Sequence, residues 1–243
     1  MIFPPFVSSL DEVYSVEMAS GNPSSSDASE ISEQVMAAGF PQTMHLTWTQ
    51  STSTMALFLS DESSQTLYAA LMPRGWQGPT YLFPGTTFVG DAISSSNRSG
   101  NDFVFQLPSV PSYQISPDEI TMSYHRSRSN PRYTFSIKVE GEGGRRTEAF
   151  EWRVSGETQN SAYSMVWELV SLGRTSKSSS HRPRSSDVVA MVHEENISGM
   201  PSSTQKVGGF QFLGRSITTY MGYHWTLVAV MSGISVLKHA SRE

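Results

Sequence analysis

The polar residues best suited to chemistry are four basic side chains in segment 173–186, which is Ser-rich and contains no acidic residue. They are Arg174, Lys177, Arg182 and Arg184. Each basic residue near an anionic lipid surface contributes about 1 kcal/mol to binding. The same composition is also typical of a solvated loop without a ligand. The segment therefore predicts either a site for anionic headgroups or an ordinary exposed loop.

The other polar residues form no recognisable catalytic or metal-binding motif. His193-Glu194-Glu195 begins like the zinc-binding helix of a metalloprotease, but position 197 is Ile rather than the second His. The six histidines lack ligand spacing, and the glycine-rich stretch 141–144 is not followed by the Lys-Ser/Thr pair of a phosphate-binding loop. The sequence therefore predicts no catalytic residue, no metal site and no cofactor.

Composition places the protein in an intracellular class. The chain has 243 residues and no cysteine, which excludes disulfide bonds and thiolate metal ligands. Residues 1–10 contain no basic residue and include a Pro-Pro pair, unlike a secretory signal peptide. No apolar run reaches the roughly 20 residues that a membrane-spanning helix needs. We expect a cytoplasmic protein, with peripheral membrane attachment if the basic segment binds lipid.

Charge divides the chain into an acidic N-terminal tail and a nearly neutral remainder. Segment 1–41 holds six of the 22 acidic residues and none of the 17 basic ones, which leaves 16 acids against 17 bases in 42–243. A nearly neutral domain does not favour nucleic acid as a partner. The tail is rich in Ser and acids, so we expect it to be disordered. Its few apolar residues, Phe3 and Phe6 among them, offer a contact for a protein partner.

From Thr43 onward, short β-prone segments alternate with Gly, Pro, Ser and Asn. The clearest is 132–140, in which Tyr133, Phe135, Ile137 and Val139 alternate with polar residues, and the chain returns through 150–154 to form a predicted hairpin. The other predicted strands are 43–50, 55–60, 66–72, 80–83, 88–94, 102–107, 120–125, 163–172, 187–193 and 208–214. Such a succession indicates an antiparallel all-β domain.

An uncharged run, 225–237 (WTLVAVMSGISVL), follows the last strand. If it is helical, Leu227, Val230, Ile234 and Leu237 form one apolar stripe and Val228 lies opposite, so the helix must be enclosed. A β-barrel wrapped around the helix is the simplest enclosure. The run also fits a wall strand, because periodicity cannot decide a segment of this length. The predicted fold is thus a closed antiparallel β-barrel around a buried C-terminal helix.

The order of segments in the second half resembles a known family. Phe150-Glu151-Trp152-Arg153, Val166-Trp167-Glu168-Leu169-Val170, Val188-Val189-Ala190-Met191 and Gly209-Phe210-Gln211-Phe212-Leu213, followed by the apolar helix, are similar to fungal members of the tubby C-terminal-like superfamily. This superfamily includes phospholipid scramblases and LURP-one-related proteins. The resemblance implies about twelve antiparallel strands in 42–243 around the helix, with 173–186 as an inserted loop. It also implies phosphoinositide binding, as in the tubby proteins.

Two functions remain open on the sequence. The first is a non-enzymatic binding or accessory protein that binds anionic phospholipid headgroups through Arg174, Lys177, Arg182 and Arg184. The second is an enzyme or ligand-binding barrel that acts on a small apolar metabolite in fungal secondary metabolism. The two differ in what fills the barrel: an enclosed helix leaves no space for a metabolite, whereas a wall strand leaves the lumen free.

Overall fold

A computed structural model describes residues 33–50, 54–111, 114–127, 131–141, 144–155, 163–174, 187–195 and 205–240. In this part of the chain the strands are β1 (Thr43–Gln50), β2 (Met55–Ser60), β3 (Thr66–Met72), β4 (Thr80–Pro84), β5 (Ser94–Ser99), β6 (Asp102–Leu107), β7 (Asp118–His125), β8 (Arg132–Val139), β9 (Arg146–Val154), β10 (Tyr163–Arg174), β11 (Val188–Glu195) and β12 (Gln205–Phe212). The helices are α1 (Glu33–Ala38), α2 (Arg215–Thr218) and α3 (Tyr223–Ala240).

The twelve described strands form one closed, up-and-down antiparallel barrel. Each strand pairs with its neighbour in sequence, and β12 pairs with β1, so that Met44 lies opposite Phe210 and closes the sheet. In β8 the apolar residues predicted to share one face are buried, and Thr134, Ser136 and Lys138 between them are not. Closure removes the unpaired strand edges at which an open sheet can aggregate. The predicted barrel is confirmed.

The lumen is filled by α3. Its apolar residues on both sides are buried, including Leu227, Val230 and Ile234. Trp152 of β9 donates a 2.8 Å hydrogen bond from Nε1 to Ser232 Oγ, which joins the barrel wall to the helix. The run 225–237 is therefore an enclosed helix and not a wall strand. No helix in the described residues is long and apolar enough to cross a membrane.

One predicted strand was wrong. The apolar segment 88–94 is mostly a connection, and the polar residues Ser94–Ser99 form β5 instead. Two of these serines have hydrogen-bond partners that accommodate them: Ser94 Oγ donates to Gln106 O at 2.9 Å, and Ser96 Oγ lies 3.4 Å from Ser235 Oγ of α3. A strand that faces a small polar residue on the helix has no need of apolar side chains.

The N-terminal boundary also differs from the expectation. Segment 33–41 was assigned to the disordered tail, but Glu33–Ala38 is helical and the chain after it lies against the barrel. The Phe40 ring stacks on Tyr68 with centroids 4.4 Å apart, and Tyr68 Oη donates to Gly39 O at 2.6 Å. These residues therefore belong to the barrel domain. Residues 1–32 lie outside the described residues.

Candidate ligand site at the upper end of the barrel

The upper end of the barrel is defined here as the end at which β12 stops and α3 begins. Because the strands alternate in direction, even-numbered strands end there and odd-numbered strands begin there. The end of β10 and the start of β11 therefore lie at the upper end, together with α1 and α2. The connections at this end include 85–93 and the predicted basic segment. The lower end carries the last turn of α3.

Of the four predicted headgroup ligands, the structure places one. Arg174 is the last residue of β10, and its Cα pairs in register with Glu148 of β9 at the upper end. Lys177, Arg182 and Arg184 lie outside the described residues, so their approach to Arg174 remains a prediction. The chain that carries them leaves and re-enters the barrel at the upper end.

A cavity of about 770 Å³ opens at the upper end, and we call it the end cavity. Most of its wall is apolar, and it is built by α1, the end of β12, α2 and the first turn of α3. Its buried lining residues are Ile115, Phe212, Tyr223 and Trp225, and its exposed apolar ones are Ile217 and Tyr220. Met36, Ala37 and Phe40 add the wall formed by the N-terminal segment. Sequence analysis missed this site because its walls come from four separate segments.

A smaller cleft of about 230 Å³, the polar cleft, adjoins the end cavity. The two share Ile115, Glu140, Tyr223 and Trp225. The remainder of the cleft includes Asp118, Lys138, Arg145 and His224. Arg145 pairs with Glu140 at 3.2 Å on the boundary between the two spaces. The upper end therefore presents an apolar cavity next to a polar cleft with charges of both signs.

Two buried hydrogen-bond donors lie in the shared wall. Tyr223 Oη and Trp225 Nε1 have no hydrogen-bond partner among the described residues. Burial raises the pKa of Tyr223, and the neighbouring Tyr68 and Tyr220 add to this effect. The phenol therefore stays protonated at neutral pH and keeps its capacity to donate. A buried donor without a partner costs about 1–3 kcal/mol, so both groups favour an acceptor brought to them.

Helix α2 is attached to the barrel by a buried carboxylate. Glu148 of β9 is only 2 % exposed and accepts from Arg146 Nε at 2.6 Å and from both terminal nitrogens of Arg215. Ser171 Oγ lies 3.3 Å from the same carboxylate. Burial alone would raise the pKa of Glu148, but the hydrogen bonds and charges of Arg215 and Arg146 outweigh it and lower the pKa. The ion pair holds Ile217 at the cavity.

Exposed apolar side chains are concentrated at the upper end. Large exposed apolar residues in the described chain number five: Val89, Met165, Leu172, Ile217 and Tyr220. Ile217 is 47 % exposed and Tyr220 is 64 % exposed. Met165 alone belongs to the lower end, near the start of β10. An apolar patch marks an interaction site more often than singly scattered apolar residues do, and of these five Ile217 and Tyr220 line the same cavity.

The residues considered for catalysis or metal binding are dispersed in the structure. The described residues contain no group of three His, Asp or Glu side chains close enough to hold a metal ion. His193 Nε2 lies 3.8 Å from Glu195 Oε1 on β11. Burial lowers the pKa of His193 more than Glu195 raises it. His193 is half-buried on β11.

At the lower end, α3 carries two buried polar side chains that sequence analysis did not identify. Lys238 Nζ donates to Gly78 O at 2.6 Å and to Thr80 Oγ1 at 3.2 Å, and His239 Nδ1 lies 2.7 Å from Tyr133 Oη. A cation in the last turn also interacts favourably with the helix dipole. These contacts satisfy the two side chains and anchor the end of α3. For Lys238, its position four residues after Ile234 on the same helix face was the available signal.

Comparisons with known proteins identify no relative with this arrangement. A scan against protein-family models found no match, and neither did searches of curated proteins and of solved structures. The ligand of the upper end must therefore be inferred from its own geometry and charge.

Proposed function

We propose that the protein is a non-enzymatic binding protein of the tubby-like kind that attaches to anionic phospholipid through the upper end of its barrel. The observation that carries this proposal is the distribution of exposed apolar residues: among the residues that the structure describes, four of the five large ones, Val89, Leu172, Ile217 and Tyr220, lie at one end. Arg174 and the ends of the basic segment lie at the same end. Basic residues beside exposed apolar ones are typical of surfaces that bind anionic membranes.

The filled lumen supports binding at the surface over binding inside the barrel. Barrels that hold a ligand in the lumen leave that space open, whereas here α3 occupies it from Tyr223 to Ala240. The headgroup would be bound by Arg174, Lys177, Arg182 and Arg184, with the apolar residues contacting the membrane interface.

The end cavity favours a second candidate function, a protein that binds a small apolar metabolite. Since α3 fills the lumen, such a ligand would lie in the end cavity, whose volume of about 770 Å³ is within the range of small-molecule sites. This candidate does not require the basic segment. Binding that is independent of salt and of lipid charge would favour it.

The test is cosedimentation of the full chain with neutral vesicles and with vesicles containing phosphoinositide, over a salt series. We expect preferential pelleting with the anionic vesicles and a steep loss as salt rises, because exposed charges are screened within about 8 Å at physiological ionic strength. Changing Arg174, Lys177, Arg182 and Arg184 to Ser should weaken binding by more than about tenfold, since each basic residue contributes about 1 kcal/mol.

Matched controls are available at the lower end. Arg126→Ser with Arg132→Ser removes two basic residues there and should leave vesicle binding unchanged. Ile217→Ser with Tyr220→Ser should weaken binding, whereas Met165→Ser should not. Equal pelleting with neutral and anionic vesicles, or equal effects of upper-end and lower-end variants, would refute the proposal.

A further inference from the structure

We propose that the end cavity binds a fatty acyl chain, with the chain against the apolar wall and its oxygen-bearing group toward the polar cleft. This inference rests on the proposed function only in taking lipid as the ligand class. It assigns a second contact, separate from the headgroup contact of the basic segment. The chain can come from a free fatty acid or from a membrane phospholipid.

The lining of the end cavity fits an apolar chain. Phe212 and Trp225 are buried members of its wall, and they also contact each other with ring centroids 5.9 Å apart. Ile217 on α2 and Phe40 after α1 extend the apolar wall outward to solvent. A volume of about 770 Å³ accommodates a flexible chain, and apolar lining with few polar groups is typical of such sites.

The shared wall with the polar cleft determines which end group the chain carries. The unpartnered groups there, Tyr223 Oη and Trp225 Nε1, both donate hydrogen bonds. A carboxylate or ester offers acceptor oxygens and no donor, so it complements them. Tyr223 and Trp225 line both spaces, so an oxygen bound at the shared wall lies next to the two side chains that carry these donors.

Position 37 provides a direct test with a matched control. Ala37 lines the end cavity and Ala38 does not, although both are exposed residues of α1. Ala37→Trp should fill the cavity and weaken binding of a fluorescent polyene fatty acid by more than tenfold. Ala38→Trp should leave the affinity within twofold of the unchanged protein. Saturable binding at one site per chain is expected for the unchanged protein.

A second variant separates the hydrogen bond from the shape of the cavity. Tyr223→Phe keeps the ring and removes the hydroxyl, so we expect affinity for the fatty acid to fall severalfold. Thermal stability without ligand should stay the same or rise, because the hydroxyl is buried without a partner. A merely structural role of the hydroxyl would lower stability and leave fatty-acid affinity unchanged.

An experiment with vesicles distinguishes the two sources of the acyl chain. Vesicles containing phospholipid brominated on the acyl chain should quench Trp225, the one tryptophan among the described residues of the cavity wall. Quenching that is lost in Trp225→Phe, without binding of the free acid, identifies a membrane lipid as the source. Binding of the free acid alone identifies the free chain.

The failures of the two proposals are distinguishable. Loss of headgroup selectivity in the four-residue Ser variant, with acid binding intact, leaves the cavity assignment standing. The acyl site is refuted if neither the free fatty acid nor the brominated vesicles show saturable binding. It is also refuted if Ala37→Trp and Ala38→Trp have equal effects. Whichever result the acyl site gives, the salt dependence of vesicle binding tests the headgroup contact independently.

Discussion

A buried carboxylate, a buried ammonium group, a buried imidazole and a half-buried imidazole lie at the two ends of the barrel, and each has a defined partner. At the upper end, Glu148 joins β9 to α2 through Arg215, and His224 Nε2 lies 2.8 Å from Pro108 O. At the lower end, Lys238 and His239 are bound to the barrel wall. Partnered burial of this kind removes the cost that an isolated buried charge or donor carries. The ends of α3 are thereby fixed to the sheet by polar contacts.

His224 should make stability depend on pH. Burial lowers its pKa, although the hydrogen bond to Pro108 and the charge of Asp118 act in the opposite direction. The unfolded chain therefore binds the proton more readily, and the free energy of unfolding should fall as pH drops below about 6.5, until it passes the lower pKa of the folded state. His224→Gln keeps a donor for Pro108 but should make this fall shallower. Urea unfolding at pH 7.5, 6.5 and 5.5 measures the two slopes.

His193 contributes in the same direction, because burial lowers its pKa as well. The His224→Gln slope should consequently be reduced and not abolished. Glu148, whose lowered pKa concerns a carboxyl group, loses its contribution only at more acidic pH, below about 4.3. Identical slopes for His224→Gln and the unchanged protein between pH 7.5 and 5.5 would contradict the assignment.

Two glycines allow neighbouring elements of the barrel to pack closely, one on α3 and one on β12. On α3, Gly233 lies where an added Cβ would be 3.0 Å from the Phe210 ring, so the helix approaches β12 closely. On β12, an added Cβ at Gly208 would meet the His193 carbonyl oxygen at 2.3 Å. Close packing of the central helix and closure of the sheet both depend on these glycines.

Leu237→Asp should unfold the domain. Leu237 is buried near the last turn of α3, and the adjacent Lys238 and His239 are already bound to the barrel wall. A buried carboxylate without a partner costs several kcal/mol against a total stability of about 5–15 kcal/mol. Ile217→Asp, an exposed position on α2, should change stability by less than about 0.5 kcal/mol. Circular dichroism and thermal melting compare them. A cooperative melt of Leu237→Asp at the unchanged midpoint would show that the helix is not enclosed.

Gly208→Ala should weaken the closure of the barrel. Its Cβ would collide with backbone of β11, which cannot move without disturbing the strand pairing, so we expect a loss of about 1–3 kcal/mol. Gly209→Ala is the matched control, because its Cβ would meet the His193 ring at 2.6 Å, and a side chain can turn away. Chemical denaturation gives both values. A larger loss for Gly209→Ala than for Gly208→Ala would contradict this account.

At the scale of the whole molecule, the two ends of the barrel differ in kind. The upper end combines the end cavity with most of the large apolar residues that are exposed in the described part of the chain, while the lower end carries the anchored last turn of α3. Segment 33–41 belongs to the upper end, where Phe40 packs on Tyr68. A ligand at the upper end would therefore contact the N-terminal segment as well as the start of the central helix.

Deletion of residues 1–41 should leave a folded barrel with lower stability. It removes the Phe40–Tyr68 stack, worth about 0.5–1.5 kcal/mol, and the hydrogen bond from Tyr68 to Gly39, worth a similar amount. A loss of about 2 kcal/mol lowers the melting midpoint by roughly 4–8 °C in a domain of this size. Deletion of 1–32, which retains both contacts, is the control. Equal midpoints for the two deletions would mean that α1 and Phe40 add nothing to the barrel.

Local pattern was sufficient to predict most of the wall and the central helix. Alternating residues such as Tyr133 and Phe135 indicate a strand with one buried face, and an uncharged run such as 225–237 has to be enclosed in a soluble domain. The bounds of β1, β2, β3 and β6 were predicted without error, because in each case the apolar pattern ends at turn residues. Closure into a barrel followed from the need to enclose the helix, and the number of about twelve strands came from the family resemblance.

The tertiary structure alone decided the features that depend on neighbours distant in sequence. Ser96 is in a strand because Ser235 of α3 faces it, and Lys238 is buried because Gly78 and Thr80 accept its hydrogen bonds. The end cavity likewise has no local signal, since its walls come from α1, β12, α2 and α3. Hydrophobic periodicity predicts which face of a strand or helix is buried. Which side chain of another element that face contacts depends on how the whole sheet closes around the helix.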